Sequence, residues 1–134
     1  MGCCIARNKA TLQVVLLLRD PILCKDINEK HMNTRYLNGF ALPQNVTATT
    51  DIEEAIAGAQ YAIHAVPVQA TRKFLASIRS VLPIDVPIFS VSKGIEVDTG
   101  FLMSELIPSA LARKHPTVFL SGPSFAKEVW PSFP

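Results

Sequence analysis

The sequence predicts an α/β protein with a mainly parallel sheet, and three observations carry that reading. Short β-branched or aliphatic runs alternate with helical stretches of about 8 to 15 residues, the pattern of parallel strands joined by crossover helices. Most of these runs are continuously apolar, as strands read when both faces are covered. The chain has 134 residues, of which 49% are hydrophobic and 18% charged. That is enough to bury one core and too apolar for an intrinsically disordered segment.

Taken in order, Gly2 to Arg7 reads as a short helix and Leu12 to Leu18 as the first strand. Pro21 to His31 is the next helix, its proline placed where a first-turn residue lacks an intrahelical N–H partner in any case. Val46 to Thr49 is a second strand. Thr50-Asp51-Ile52-Glu53 reads as a capping box that opens a short helix from Asp51 to Ala57, with Gly58 as a left-handed stop. Tyr61 to Val66 is a third strand. From Val68 to Leu82, Phe74, Leu75, Ile78, Val81 and Leu82 share one helical face, with Arg72, Lys73 and Arg79 elsewhere. Pro87 to Val91 and Thr117 to Ser121 complete the strands. The helix predicted between them, Thr99 to Lys114, is expected to be interrupted near Pro108. No repeat, low-complexity tract or linker divides the chain.

Thirteen Lys and Arg against eleven Asp and Glu leave a net charge of +2, and the basic residues are scattered, so no nucleic-acid surface is indicated. Cys3, Cys4 and Cys24 are an odd, crowded set that suggests neither a disulfide framework nor a zinc site. A reduced compartment, the cytoplasm or an organelle, is the expectation. No apolar run approaches the ~20 residues that cross a bilayer, so a soluble protein is expected. Met1-Gly2-Cys3-Cys4 invites a lipidation reading, but Ala6 stands where the myristoylation pattern wants Ser or Thr.

Open parallel sheets bind ligands beyond the carboxyl ends of their strands. Arg19-Asp20 follows the first strand and offers both an acid for a ribose and a base for a 2′-phosphate or an adenine; the alternative is a solvated pair that opens a helix. Ala65-Val66-Pro67 follows the third strand and leads into a helix N-terminus. His64, within that strand, reads as a satisfied core histidine rather than a catalyst. Ser92-Lys93-Gly94 follows the fourth strand and Ser121-Gly122-Pro123-Ser124-Phe125-Ala126 the fifth. An ammonium group, free backbone N–H groups and a hydroxyl there describe a pocket for an anionic, hydroxylated small molecule beside a dinucleotide.

Arg19-Asp20-Pro21, Ile27-Asn28-Glu29, Asn33-Thr34-Arg35-Tyr36-Leu37, Leu42-Pro43, Ala48-Thr49-Thr50-Asp51, Ala65-Val66-Pro67, Ser92-Lys93-Gly94-Ile95-Glu96 and LSGPSFAKE (Leu120 to Glu128) form an ordered set. That set resembles the NAD(P)-dependent glycerol-3-phosphate dehydrogenases over nearly the whole chain, with Asn38 standing where the family commonly has proline. The resemblance implies a Rossmann-like doubly wound, mainly parallel sheet and hydride transfer between NAD, alternatively NADP, and glycerol 3-phosphate or dihydroxyacetone phosphate. It implies that Lys93 touches cofactor and substrate, that Gly122 and Ser124 touch substrate, and that Arg19, Tyr36, Pro67 and Ala126 touch the cofactor. A homodimer is implied, with no metal, nucleic acid or membrane as partner.

Two departures accompany the resemblance. The chain begins after the family's first strand and its GxGxxG turn, so the sheet is expected to lack that strand and its pyrophosphate cradle. The family's C-terminal helical domain, with its acid–base lysine, is also absent, so no residue here is assignable as catalytic and the chain alone is expected to be inactive. Two other readings stand beside this one. One is a fragment acting on another phosphorylated or branched hydroxy acid, against which LSGPSFAKE and Ser92-Lys93-Gly94 argue. The other is a short non-catalytic protein that pairs with a full-length subunit.

Overall fold

The structure is a computed structural model describing residues 2–36 and 39–122, with the backbone alone for residues 2–4. The described residues divide into two compact units, one up to Ala55 and one of Ile56–Gly122.

The first unit contains α1 (Gly2–Asn8), β1 (Val14–Leu17), α2 (Pro21–Lys30), β2 (Val46–Thr49) and the start of α3 (Ile52–Ile56). β1 and β2 pair in parallel, Val14 opposite Val46 and Leu16 opposite Ala48. These residues, with Leu23, Cys24 and Ile27 of α2, form the core. α2 starts where the Asp20 carboxylate accepts the N–H groups of Ile22 at 3.0 Å and Leu23 at 3.3 Å. It stops at His31, whose φ of 48° is left-handed and whose N–H bonds to the Ile27 carbonyl. Asp20→Ala should lower the unfolding free energy measured in urea by about 1 kcal/mol, with most of the loss restored by Asp20→Asn.

Two side-chain amides complete this unit. Asn28 donates to the Ala48 carbonyl at 2.8 Å and accepts the Ala48 N–H at 2.7 Å, satisfying backbone groups along β2. The Asn45 amide donates to the carbonyls of Ala6 and Leu12, which the end of α1 and the following turn leave unpaired. The helix cap at α3 lies one residue later than the expected Thr50–Glu53 box. Asp51 accepts the Glu54 N–H at 3.0 Å, and the Thr49 hydroxyl donates to the Glu54 carboxylate. Thr49, buried at the end of β2, bonds to Glu54, which stays exposed, and not to Glu53.

The second unit contains β3 (Ala62–His64), α4 (Val68–Ile78), β4 (Ile88–Ser90), α5 (Met103–Leu111) and β5 (Thr117–Phe119), with the parallel order β3-β4-β5. Its core joins Leu75 and Ile78 of α4 to Ile88 and to Met103, Leu106, Ile107 and Leu111 of α5. The strands are shorter than the apolar runs that predict them, although ladder bonds such as Val91 N–H to His64 C=O and Leu120 N–H to Ser90 C=O continue past their ends. α4 ends at Ile78, not Leu82. Val81 and Leu82 both donate to the Ile78 carbonyl in a closing turn, which still leaves Leu82 buried.

α5 corrects the sequence expectation. It starts at Met103 because Thr99 and Gly100 are held in a turn against Glu96, and it ends at Ala112 in the left-handed conformation. It runs through Pro108 without interruption. The carbonyl that Pro108 leaves without its N–H is that of Ser104, an exposed residue that water can serve.

The expectation of strands covered on both faces also fails. Ile63, Phe89 and Val118 are register partners on one face, where Ile63 is 37% and Val118 46% exposed, whereas Ile88, His64 and Ser90 on the other face are buried. Val15, opposite Thr47 in the first unit, is likewise exposed. A period-2 strand turns every second side chain to the opposite face, and among the described residues the helices cover one face of each sheet.

Candidate functional site

Because β3, β4 and β5 run parallel, the segments after them emerge at one edge of the second unit. Pro67 follows β3, Ser92-Lys93-Gly94 follows β4 and Gly122 follows β5. Lys93 reaches across, and its ammonium donates to the Gly122 carbonyl. Gly94 has φ 112°, and a Cβ there would stand 3.4 Å from a Val68 methyl. The turn therefore requires glycine for its backbone conformation and packs closely on the first residue of α4. α4 starts at exposed Pro67 without a side-chain cap. Its first N–H groups, with the Lys93 ammonium, make this edge a donor-rich site that fits the phosphates of a dinucleotide or a phosphorylated substrate.

Beneath the edge lies His64, 4% exposed. Its Nδ1 is 3.0 Å from the Ser92 hydroxyl and its Nε2 3.3 Å from that of Thr71. Burial lowers its pKa from 6.5 to about 4. His64 is thus the satisfied core histidine that its apolar strand predicts. Above pH 6.5 the imidazole is neutral in both the folded and unfolded chain. As the pH falls from 6.5 towards 4 the unfolded chain takes up a proton that the folded one refuses, so stability falls, and below 4 the effect saturates. The urea unfolding free energy should drop by about 2 kcal/mol between pH 7 and 5, with the slope largely lost in His64→Gln. Glu96 and Asp26, whose pKa values are held below the ordinary carboxylate range by hydrogen bonds from Arg72 and Lys30 respectively, contribute their losses only at lower pH.

A second set of contacts holds the segment after Lys93. The Arg72 guanidinium grips the Glu96 carboxylate through two bonds, Nε to Oε1 at 2.9 Å and Nη2 to Oε2 at 2.6 Å. The Thr99 hydroxyl adds a third at 2.5 Å, and Arg72 also donates to the Ser109 hydroxyl of α5. Gln69 pins the loop between Lys93 and Thr99 by donating to the Ile95 carbonyl and accepting the Val97 N–H. Sequence reading places Arg72 merely off the apolar face and assigns Glu96 no role. A pair 24 residues apart has no local spacing rule that would reveal it.

In the first unit, Arg19 follows β1 and is exposed. Asp20 is committed elsewhere, to the start of α2 and to Arg35 at 3.1 Å, so of the two readings of the pair Asp20 takes the helix-opening one. Tyr36 stands 67% exposed beneath the Arg35 guanidinium, 5.4 Å from its ring centroid, on a loop closed by the Met32–Ala41 bridge. Ser124 and Ala126 lie outside the described residues, as does Asn38. A shallow depression lined by Arg7, Ala41, Pro43 and Asn45 lies before β2, away from the strand carboxyl ends.

A family model described as the NAD-dependent glycerol-3-phosphate dehydrogenase N-terminus matches residues 1–134. The chain belongs to this family. A chloroplastic NAD⁺-dependent glycerol-3-phosphate dehydrogenase of Oryza sativa is 44% identical over 135 residues, which cover 100% of this chain and 31% of the relative. An NAD(P)⁺-dependent one of Myxococcus xanthus is 42% identical over 119 residues, 87% of this chain and 36% of the relative. The glycerol-3-phosphate dehydrogenase structure of Plasmodium falciparum superposes with a TM-score of 0.82 at 32% identity, over 96% of this chain and 38% of that one. That of Coxiella burnetii does so at 0.84 and 23% identity, over 96% and 38%, and speaks for the fold alone. The chain thus spans about a third of the length of the glycerol-3-phosphate dehydrogenases it matches. Its α/β, Rossmann-type architecture with parallel strands is that of these dehydrogenases. No helix among the described residues is long and apolar enough to cross a membrane.

Proposed function

We propose that this chain supplies cofactor and substrate contacts to a glycerol-3-phosphate dehydrogenase, which transfers a hydride between glycerol 3-phosphate and NAD, or alternatively NADP, and yields dihydroxyacetone phosphate in the oxidative direction. The observation that carries the reading is the reach of the Lys93 ammonium to the Gly122 carbonyl, at the carboxyl ends of adjacent parallel strands in a chain matched by the family model throughout. Bound beside Lys93, a nicotinamide would supply the hydride acceptor. Lys93 donates to the substrate oxygen and stabilises the negative charge that builds there as the hydroxyl proton leaves. Gly122 and Ser124 contact the substrate, while Arg19, Tyr36, Pro67 and Ala126 contact the dinucleotide. Removing the hydroxyl proton falls to a group outside this chain, so residues 1–134 alone should be inactive. A family-like homodimer in the cytoplasm or an organelle completes the proposal.

The test is a chimera in which the matched stretch of this chain, 87% of it, replaces its counterpart in the Myxococcus xanthus relative. It should form NADH from NAD⁺ and glycerol 3-phosphate, whereas residues 1–134 alone should form none. A folded chimera that binds neither NAD⁺ nor NADP⁺ would overturn the reading.

A further inference from the structure

The turn that carries Lys93 is anchored by a relay of hydroxyl and imidazole groups that runs from buried Thr71 and His64 to half-buried Ser92. The Ser92 hydroxyl lies 2.6 Å from the Val66 carbonyl and 3.0 Å from His64 Nδ1. It has one hydrogen, and the shorter contact, to an oxygen that can only accept, takes it. If His64 carried its proton on Nε2, bare lone pairs of Nδ1 and of the serine oxygen would face each other at 3.0 Å. With the proton on Nδ1 that contact becomes a hydrogen bond, and the Thr71 hydroxyl, which lies 3.2 Å from the Pro67 carbonyl and 3.3 Å from Nε2, can turn its one hydrogen to the bare Nε2 because Pro67 already accepts the Ala70 N–H. The chain of donation then runs Thr71 to His64 to Ser92 to Val66, tying the turn after β3 to the turn after β4.

We propose that His64, held in its Nδ1–H tautomer, is a positioning residue that fixes the Ser92-Lys93-Gly94 turn and thereby aims Lys93. The role assigned to Lys93 rests on the function proposed above; the tautomer and the anchoring do not. Thr71 is fully buried and Ser90 is 1% exposed, so the Nε2 side of the ring is closed to water, while Ser92 is half-buried at the edge of the sheet. Ser90 stands 3.5 Å from the same Nδ1, too far to displace Ser92 as its partner.

A long-range ¹H–¹⁵N spectrum of the uniformly labelled 134-residue chain should show His64 Nδ1 as the protonated nitrogen and Nε2 as the bare one. The reverse pattern overturns the proposal without any variant. Ser92→Ala should then shift that tautomer signature and move or broaden the Lys93 and Gly94 amide signals, and Ser92→Thr, which keeps the hydroxyl, should restore both. Lys93 and Gly94 signals unchanged in Ser92→Ala would overturn the positioning role. In the chimera, Ser92→Ala should lower kcat/KM for glycerol 3-phosphate about tenfold, with Ser92→Thr within about threefold of the parent. A parent chimera that binds no cofactor sinks the proposed function instead, while the spectra of the unmodified chain and of Ser92→Ala still decide the anchoring.

Discussion

In the chimera, Lys93→Ala should lower kcat/KM for glycerol 3-phosphate by at least about tenfold, because a fixed positive charge at an oxygen that gains negative charge is commonly worth a few kcal/mol. The ammonium sits at the mouth of β4 and donates to Gly122, so it is placed before the substrate arrives. The loss should fall mainly on kcat if Lys93 acts on the developing charge, and on KM if it only holds the phosphate. Lys93→Arg should recover part of the loss, since charge is kept while the geometry of the donor changes. Stopped or steady-state NADH formation measures all three, and an unchanged kcat/KM would make Lys93 an ordinary surface residue.

Leu106→Ala should destabilise the chain by about 2–5 kcal/mol, the usual cost of deleting a buried leucine and leaving a cavity. Leu106 is fully buried on α5, beside Ile107 and Leu111 and within the core that α4 shares. Ile22→Ala on α2, where Ile22 is 74% exposed, should stay within about 0.5 kcal/mol and serves as the control. Urea unfolding of the two variants beside the parent measures the difference. Equal midpoints would mean that α5 does not contribute to the cooperative core.

The amino-acid pattern alone carried the order of elements because the signals involved are local. Pro21 after Asp20 marks a helix start, an apolar run marks a strand, and Gly58 marks a stop, each decided by φ, ψ and the neighbouring hydrogen bonds. The parallel class follows from spacing, and the family from an ordered set of short motifs that now proves to match a family model over residues 1–134. Lys93 and Gly122 were legible as separate residues after successive strands, because their positions at strand ends are a property of chain order.

What only the tertiary structure decided are matters of long-range pairing and of burial. The bidentate Arg72–Glu96 pair, the two bonds of Asn28 to Ala48 and the His64–Ser92–Val66 relay join residues separated by about 20 or more positions, except where Val66 follows its own strand. No periodicity rule reaches that far, since such contacts depend on which strand lies beside which. Pro108 was read as a break because proline costs a helix one hydrogen bond; whether that bond is missed depends on where the orphaned carbonyl points, and here it belongs to exposed Ser104. The open faces at Val15, Ile63 and Val118 could not be read from apolar composition, because a run of valines and isoleucines looks the same whether one face or both are covered. Local chemistry thus set the pieces and their order, and the packing of strands against helices chose which polar groups met and which apolar faces stayed open.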